Sequence, residues 1–408
     1  MRHDTEVLIV GGGLNGPTLA LALASAGMRS IVLDAQPRDT RTDPAFDGRA
    51  YALALASQRM LSALGLWRGL EPRAQPILDI KVSDGRAGEG AAPWFLHFDH
   101  REIDEGPMGH MIEDRHLRGA LIAAMDVSDR IEHRAGVRAV AQAAEPGGIA
   151  LTLDDGTVLR AALLVGCDGR ASEVARRAGI TRIGRDYRQT ALVCAVEHDL
   201  PHAGTAHQFF TPQGPLAILP LRGNRASIVW TETRDRAAVI AGLDEAGYLA
   251  ELRPRFGDFL GALRLAGARF SYPLELSLAT SFTAPRVALA GDAAHGIHPL
   301  AGQGLNLGLR DVAALAEVLA TARRRGQDPG AADVLGDYQR WRRADTGLLA
   351  AATDGLNRLF SSDNPVLRLG RDLGLGVINR LPALRRGLIR EAAGLTGDLP
   401  RLLRGRPI

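Results

Sequence analysis

The chain has 408 residues, of which 46% are apolar and 23% are charged, and its formal net charge is +3. This length exceeds what one compact core usually holds and predicts two interlocked domains, while the small net charge argues against a dedicated nucleic-acid-binding protein. Cys167 and Cys194 are the only cysteines, too few for a disulfide framework or a zinc site. We therefore expect no metal and a reducing compartment.

The N-terminal residues predict a strand, a glycine-rich turn, a helix and a second strand. Apolar residues 7–10 precede Gly-Gly-Gly-Leu-Asn-Gly at 11–16, small and apolar residues follow over 17–27, and an apolar run at 31–33 ends in Asp34. Such a turn lets the backbone approach a pyrophosphate at the helix N-terminus, and the acid can hold adenosine ribose hydroxyls. The residues of this predicted dinucleotide site are Gly11, Gly13, Asn15, Gly16 and Asp34.

The remaining chain alternates between helical and strand patterns. Periodicity predicts a helix over about 51–64 and a buried strand over 163–166. Residues 181–280 resemble an antiparallel sheet with Pro and Gly turns, and a strand at 287–290 precedes a long helix over 303–324. This order predicts an α/β fold, in which a Rossmann-like domain carries an inserted, mostly antiparallel β-sheet domain and a C-terminal helical region.

The glycine-rich stretch after residues 287–290 indicates which dinucleotide binds. Asp292 directly follows the strand, so its carboxylate is expected at the carboxyl end of the sheet, where it can bind the polyhydroxyl chain of a flavin. Gly302 and Gly304 let backbone N–H groups at the start of the next helix approach a planar ring, and the helix dipole favours the negative charge of a reduced flavin. The predicted cofactor is FAD.

Three sequence blocks are distinctive: the turn at 11–16, Cys-Asp-Gly-Arg-Ala-Ser at 167–172, and Gly-Asp at 291–292 running into His-Pro-Leu-Ala-Gly-Gln-Gly-Leu-Asn-Leu-Gly at 298–308. Together they resemble the ubiquinone-biosynthesis hydroxylase family, within the para-hydroxybenzoate hydroxylase class of flavoprotein monooxygenases. The resemblance spans about residues 5–345. Cys167 replaces the family's usual Ala, and Asp34 replaces a commoner Glu, without changing the expected cofactor.

The resemblance implies roles for individual residues. Arg49 and Asp168 would lie near the FAD pyrophosphate, with Asp168 also placed to position NAD(P)H, and Asp292 would bind the ribityl chain. Arg115 is a further candidate for the phosphates, with a solvated position on a helix as the equal alternative. The residues expected at the reactive edge of the flavin, and so catalytic, are Pro299, Gly302, Gln303 and Gly304. The further residues expected to bind the cofactor are Gly291, Pro299, Gly304, Leu305 and Asn306.

The resemblance also implies a reaction. NADH or NADPH would reduce FAD, O2 would add to the flavin C4a carbon, and the resulting hydroperoxide would transfer OH to an electron-rich ring. The sheet over 181–280 would exclude water from this site. The expected substrate is a polyprenylated phenol on the way to ubiquinone. Two alternatives stay open: a related monooxygenase of a soluble aromatic acid, and a flavin-bearing scaffold without turnover.

We expect the domains to interleave along the chain. An FAD-binding domain is predicted from two parts, 1–180 and 281–360, and a substrate domain over 181–280, to which strands near 76–100 contribute. A basic helical region is predicted over 361–408.

The C-terminal residues suggest a contact with other molecules. Residues 364–408 contain nine arginines and three acidic residues, with leucines between the charges, as in a helix that lies on an anionic membrane. A helical cap on the FAD-binding domain, or contact with a ubiquinone-biosynthesis protein complex, is the alternative. The N-terminus resembles neither a signal peptide nor a spanning segment, so we expect a cytoplasmic protein, peripheral on the inner face of the membrane if the tail binds lipid.

Overall fold

A computed structural model describes residues 3–86, 90–211, 213–297, 302–360 and 381–408. These residues form twenty β-strands and eleven α-helices. The strands are β1 (Thr5–Val10), β2 (Ser30–Asp34), β3 (Ala50–Ala54), β4 (Gln75–Ile77), β5 (Asp79–Arg86), β6 (Gly90–Asp99), β7 (Gly109–Glu113), β8 (Ile131–Ala135), β9 (Ala139–Glu145), β10 (Gly148–Leu153), β11 (Val158–Gly166), β12 (Arg182–His198), β13 (Thr205–Thr211), β14 (Gly214–Leu221), β15 (Arg225–Thr233), β16 (Leu263–Leu265), β17 (Phe270–Ala279), β18 (Thr283–Ala284), β19 (Val287–Leu289) and β20 (His295–Gly296). The helices are α1 (Asn15–Ser25), α2 (Arg38–Thr42), α3 (Leu55–Ala63), α4 (Trp67–Leu70), α5 (Asp114–Asp126), α6 (Glu173–Arg177), α7 (Arg234–Ala241), α8 (Glu245–Phe256), α9 (Gln303–Arg324), α10 (Ala332–Phe360) and α11 (Pro382–Ala392).

The first sheet has a parallel centre whose strands follow the spatial order β19, β11, β1, β2 and β8. These central strands are short apolar runs such as Val7–Ile9, which are fully buried because α1 and α9 contribute to the same core. The carboxyl ends of β1, β2, β11 and β19 meet at one edge of the sheet. This is the edge at which α/β sheets bind their ligands, and each predicted motif follows one of these strands.

The second sheet has nine strands, and all but one of its pairings are antiparallel. Its strand order is β20, β17, β12, β15, β14, β13, β5 and β6, with β16 also paired to β12. Strands β5 and β6 come from residues 79–99 and extend this sheet through the parallel pair of β5 and β13. A third sheet contains β3, β7 and β4. The predicted fold class is confirmed, while the domain boundaries stay predictions.

The predicted helix over 51–64 is wrong in its first part. Residues Ala50–Ala54 form β3, and only Leu55–Ala63 are helical. Two partners from distant parts of the sequence explain the strand: β7 pairs with β3 over its whole length, and the Asn306 side chain accepts a hydrogen bond from the Ala54 N–H at 2.8 Å. Tertiary pairing therefore overrides the local helical periodicity.

The described part of the basic C-terminal region is docked on the rest of the chain. Ile389, Leu402 and Leu403 are at most 1% exposed and belong to two different apolar cores. On α11, Arg385 pairs with Glu102 at 2.9 Å and Arg390 approaches Glu105 at 3.5 Å. The predicted helical character is found in α11, and residues 361–380 lie outside the described part of the chain. Across the described ranges, we find no helix that is both long and apolar enough to cross a membrane.

Candidate active site

The turn after β1 is tightly packed at its ends and open at its centre. A Cβ atom added to Gly11, which has a φ of +120°, would lie 2.2 Å from the carbonyl oxygen of Cys167. A Cβ atom at Gly16 would lie 2.0 Å from the carbonyl oxygen of Gly11, whereas one at Gly13 would have no neighbour within 4 Å. Helix α1 begins at Asn15 without a side-chain cap. The turn therefore presents open backbone at a helix N-terminus, as an anion site requires.

Asp34 lies against this turn at the end of β2. Its side chain is 2% exposed, accepts a hydrogen bond from the Gln36 N–H at 3.0 Å and pairs with Arg41 at 2.7 Å. A Cβ atom added to Gly12 would lie 2.2 Å from the Asp34 carboxylate. Glycine at position 12 is thus what allows the acid to contact the turn, and the predicted binding of ribose by Asp34 stays a prediction.

The Asn15 side chain joins the first motif to the last one. A Cβ atom on Gly291 would lie 2.1 Å from Asn15 Nδ2, and one on Gly308 would lie 2.6 Å from the same atom. Asn15 therefore sits between two glycines that are far away in sequence. Its Oδ1 atom is buried and has no hydrogen-bond partner among the described residues. This unsatisfied acceptor at the mouth of α1 suits a hydroxyl or an ordered water beside a bound cofactor.

The loop after β11 carries Asp168, which is engaged in local hydrogen bonds. Its carboxylate accepts from Ser172 Oγ at 2.5 Å and from the Val174 N–H at 3.1 Å, and Ser172 in turn caps α6. Because the neighbouring Cys167 carbonyl packs against Gly11, this loop and the turn after β1 share one site. Asp168 holds the shape of the loop, and its predicted contacts with FAD and NAD(P)H stay predictions.

The turn after β19 leaves the Asp292 carboxylate accessible and fixes the backbone behind it. The Asp292 side chain is 43% exposed, with Arg170 at 3.4 Å. Arg182, at the start of β12, donates to the carbonyl oxygens of Asp292 at 3.2 Å and Ala293 at 2.5 Å. Gly291 adopts a φ of +65°, which favours glycine. A carboxylate on a rigid turn at this sheet edge can accept hydrogen bonds from a ligand's hydroxyl groups.

The start of α9 is held by Asn306. Its Oδ1 atom accepts from the Ala54 N–H and from Ser57 Oγ, and its Nδ2 atom donates to the carbonyl oxygens of Ala52 and Gly302. The side-chain amide has thereby used its two donors and two acceptor positions within the protein. The Asn306 side chain positions α9, so only the backbone of Asn306 remains for a contact with the cofactor.

The other predicted residues of this segment differ in their surroundings. Gly302 has a φ of +64° and precedes α9, and a Cβ atom at Gly304 would have no neighbour within 4 Å. Gln303 is the first residue of α9, and Leu305 is half-buried against the main core. Pro299 lies outside the described residues. The open space beside Gly304 at a helix N-terminus fits the predicted approach to a planar ring.

Two predicted arginines are paired with acidic residues: Arg49 precedes β3, and Arg115 lies on α5. Arg49 pairs with Asp47 at 2.6 Å and lies 5.6 Å from the centre of the Phe270 ring. Burial lowers the pKa of Arg49, but its bonds with Asp47 and Asp114 outweigh burial and leave the pKa raised. Arg115 pairs with Glu113 at 2.7 Å and donates to the carbonyl oxygen of Pro44. Arg115 is thus neither buried nor free, and its phosphate contact stays a prediction.

Aromatic residues of the second sheet face Arg49. Phe270 and Tyr272 alternate along β17 with stacked rings 6.3 Å apart, and Tyr272 is 41% exposed. Burial raises the pKa of the Tyr272 phenol above its ordinary value. Arg170 donates to the neighbouring Pro273 carbonyl oxygen and also approaches Asp292, so it links β17 to the turn after β19.

Comparison with known proteins identifies the family of the chain. Residues 4–346 match the FAD binding domain family. The chain is 47% identical to ubiquinone hydroxylase UbiL of Rhodospirillum rubrum, over 99% of its own length and 93% of that protein. It belongs to the FAD-dependent ubiquinone hydroxylase family. Another relative is 3-demethoxyubiquinol 3-hydroxylase of Escherichia coli, which is 35% identical over 97% of this chain and 100% of that protein.

A solved structure shows the same fold in a more distant protein. The p-nitrophenol 4-monooxygenase PnpA of Pseudomonas putida superposes with a TM-score of 0.81 at 22% identity, covering 98% of this chain and 100% of that chain. The predicted family and the predicted FAD cofactor are both confirmed by these comparisons.

Three residues of the site were absent from the predicted set. Gly12 and Gly308 lie inside the predicted motifs, and their roles are visible only through the Cβ contacts with Asp34 and Asn15. Arg182 gave no sequence signal, because it is one arginine among many at the start of a strand. Its contact with the turn after β19 spans 110 positions of the chain.

Substitution of Gly308 tests the close packing around Asn15. Gly308→Ala places a methyl group 2.6 Å from Asn15 Nδ2, so we expect it to lower the free energy of unfolding by about 1–3 kcal/mol and to weaken FAD binding. Gly304→Ala is the matched control on the same helix, because its methyl group enters open space. Denaturant unfolding of both variants without FAD measures the difference. Equal unfolding free energies would contradict the packing described here.

Proposed function

We propose that the protein is an FAD-dependent monooxygenase that hydroxylates the aromatic ring of a polyprenylated phenol in ubiquinone biosynthesis, using NADH or NADPH and O2. The observation that carries the proposal is the 47% identity with a ubiquinone hydroxylase over nearly the whole of both chains. The geometry supports it, because the turns that follow β1, β2, β11 and β19 converge at one sheet edge.

The residues present fit FAD. The open backbone at Gly13 and the uncapped start of α1 suit the pyrophosphate, and Asp34 suits the adenosine ribose. We assign the ribityl hydroxyls to the half-exposed carboxylate of Asp292 and the flavin ring to the backbone of Gly302 and Gly304. Bound FAD would supply the redox chemistry that activates O2 for insertion of one oxygen atom into the ring.

The protein's own groups bind, orient and shield. N–H groups at the start of α9 would stabilise negative charge on the ring edge that faces them, since the helix dipole is positive there. Arg49 and Asp168 would hold the pyrophosphate and the nicotinamide nucleotide, and Pro299 and Gln303 would line the reactive edge. The face of the second sheet that carries Phe270 and Tyr272 would exclude water, so that oxygen is transferred to the substrate and is not lost as hydrogen peroxide.

Product analysis separates this function from the two alternatives. The purified protein with NADH or NADPH is supplied in parallel with a polyprenylated phenol and with soluble aromatic acids, and products are identified by mass spectrometry and NMR. We expect a hydroxylated prenylphenol. Hydroxylation of the acids alone would replace the substrate assignment, and FAD binding without any NAD(P)H-dependent product would indicate a scaffold.

Removal of the Asp292 carboxylate should weaken FAD binding. Asp292→Ala deletes a charged hydrogen-bond acceptor, so we expect a loss of about 1.5–3 kcal/mol in binding free energy, measured by titration of the FAD-free protein. Asp258→Ala removes an acid that follows α8 and whose side chain is 81% exposed, and it should leave the affinity unchanged. An equal FAD affinity in both variants would contradict the assignment of Asp292.

Bulk at Gly304 should separate oxygen transfer from folding. Gly304→Ala keeps the neighbouring space largely open, whereas Gly304→Val fills it, so we expect only the valine variant to divert NAD(P)H oxidation from product to hydrogen peroxide. The measurement is hydroxylated product formed per NAD(P)H oxidised, with thermal unfolding as the check of folding. An unchanged product yield in a folded valine variant would exclude Gly304 from the reactive edge.

A contact of residues 364–408 with the membrane or with a biosynthetic complex is the second part of our proposal. Fewer residues of this region are available for such a contact than the sequence suggests. Arg385 and Arg390 face Glu102 and Glu105, and Leu402 is buried. Deleting the region would remove core residues, so the sharper test replaces Arg368, Arg371, Arg380 and Arg386 with Gln in the full chain. Lower sedimentation with anionic liposomes at low salt would support lipid contact. If the variant sediments with liposomes as the native chain does, or if the native chain does not sediment with them, this region does not bind lipid. A partner complex would then deliver the substrate.

A further inference from the structure

A buried aspartate lies directly behind the turn after β19. Asp311, on α9, is 0% exposed, and its Oδ2 atom accepts the Gly291 N–H at 3.0 Å. The same oxygen lies 2.5 Å from Nε2 of His295, which follows the turn, and Oδ1 accepts from Arg342 Nε at 2.8 Å. One carboxylate therefore fixes both sides of the segment that carries Asp292.

The contacts continue from Asp311 to the C-terminal region. Arg342, which is 1% exposed, also pairs with Asp345, and Asp345 binds Arg310 at 2.9 Å. The other end of the Arg310 guanidinium donates to the carbonyl oxygens of Gly394 at 3.2 Å and Thr396 at 3.3 Å. An unbroken chain of charged groups thus runs from the backbone of the cofactor turn to the segment after α11.

The partners of Asp311 favour its charged form. Burial alone would raise the pKa of Asp311, but His295 and Arg342 outweigh burial and lower it. Burial of an ion pair adds little net stability compared with apolar side chains of similar volume. Apolar side chains have no directed acceptor, whereas Asp311 provides one for the Gly291 N–H and two for its side-chain partners. The hydrogen bonds of Asp311 therefore specify the geometry of the turn after β19.

We propose that Asp311 is a positioning residue for the flavin site, and that the Arg342, Asp345 and Arg310 chain couples its placement to the docked C-terminal segment. Asp311 touches no ligand and acts through Gly291 on Asp292. The proposal rests on the assignment of the Asp292 carboxylate to FAD made above. It gives the segment after α11 a role in cofactor retention, although that segment lies outside the sheet edge.

The test compares two buried carboxylates in the full-length protein. Asp311→Asn keeps the side-chain shape and removes the charge, and we expect FAD to bind about 10- to 100-fold more weakly. Glu232→Gln is the matched control, because Glu232 is 1% exposed and pairs with Arg255 at 3.0 Å in the second sheet. Its FAD affinity should equal that of the native protein. FAD titration well below both unfolding temperatures separates positioning from a general loss of stability.

The coupling has its own variants. Arg310→Met removes the contacts with Asp345, Gly394 and Thr396 and should weaken FAD binding about 2- to 10-fold, and Arg310→Lys should restore part of the loss. In the double variant of Asp311→Asn with Arg310→Met, the two effects should combine to less than their product, because both act through one turn. Native FAD affinity in Asp311→Asn would overturn the positioning role. Independent effects of the two substitutions would overturn the coupling. If Asp292→Ala binds FAD as tightly as the native protein does, that result would instead contradict the assignment of Asp292.

Discussion

The candidate cofactor site depends on the close approach of three backbone segments around one asparagine. Asn15 lies between Gly291 and Gly308, where even a methyl group would come within 2.6 Å of its amide nitrogen. Close-packed interiors leave little room for added atoms, so a methyl group at either glycine would displace the Asn15 side chain. The start of α1, the turn after β19 and the first turns of α9 must therefore assemble together. A dinucleotide can then bridge them without first drawing them into contact.

Polar contacts hold the turn after β19 in the position that Gly291 and Gly308 make sterically possible. Arg182 binds the turn after β19 from the second sheet, and Asp311 binds it from α9. The turn also continues directly into β20, which pairs with β17 of the second sheet. The segment that carries Asp292 thus belongs to the ligand edge of one sheet and to the outer edge of the other. A shift of the second sheet relative to the first would therefore move the turn that carries Asp292 as well.

The sequence predicted the parts of the site that depend on local rules. Glycines after a buried strand, and acids such as Asp34 and Asp292 at strand ends, have a fixed structural meaning wherever that context occurs. Contacts between distant positions were not predictable: in the sequence, Asp311 resembles any acidic residue on α9, and Arg342 resembles any arginine on α10. The same limit explains the error at residues 51–54, where β7 and Asn306 supply partners that a local pattern does not contain.

The order in which the chain is made gives the C-terminal packing another meaning. β1 emerges first during synthesis, yet the core around it includes Leu402 and Leu403, which are translated after both large sheets. Domains tend to fold as they leave the ribosome. A core that still lacks Leu402 and Leu403 leaves the apolar side chains around their positions open to aggregation or to chaperones. The Arg310 contacts with Gly394 and Thr396 form equally late. The turn that carries Asp292 therefore gains all of the contacts described here only after residues 394–396 have been translated.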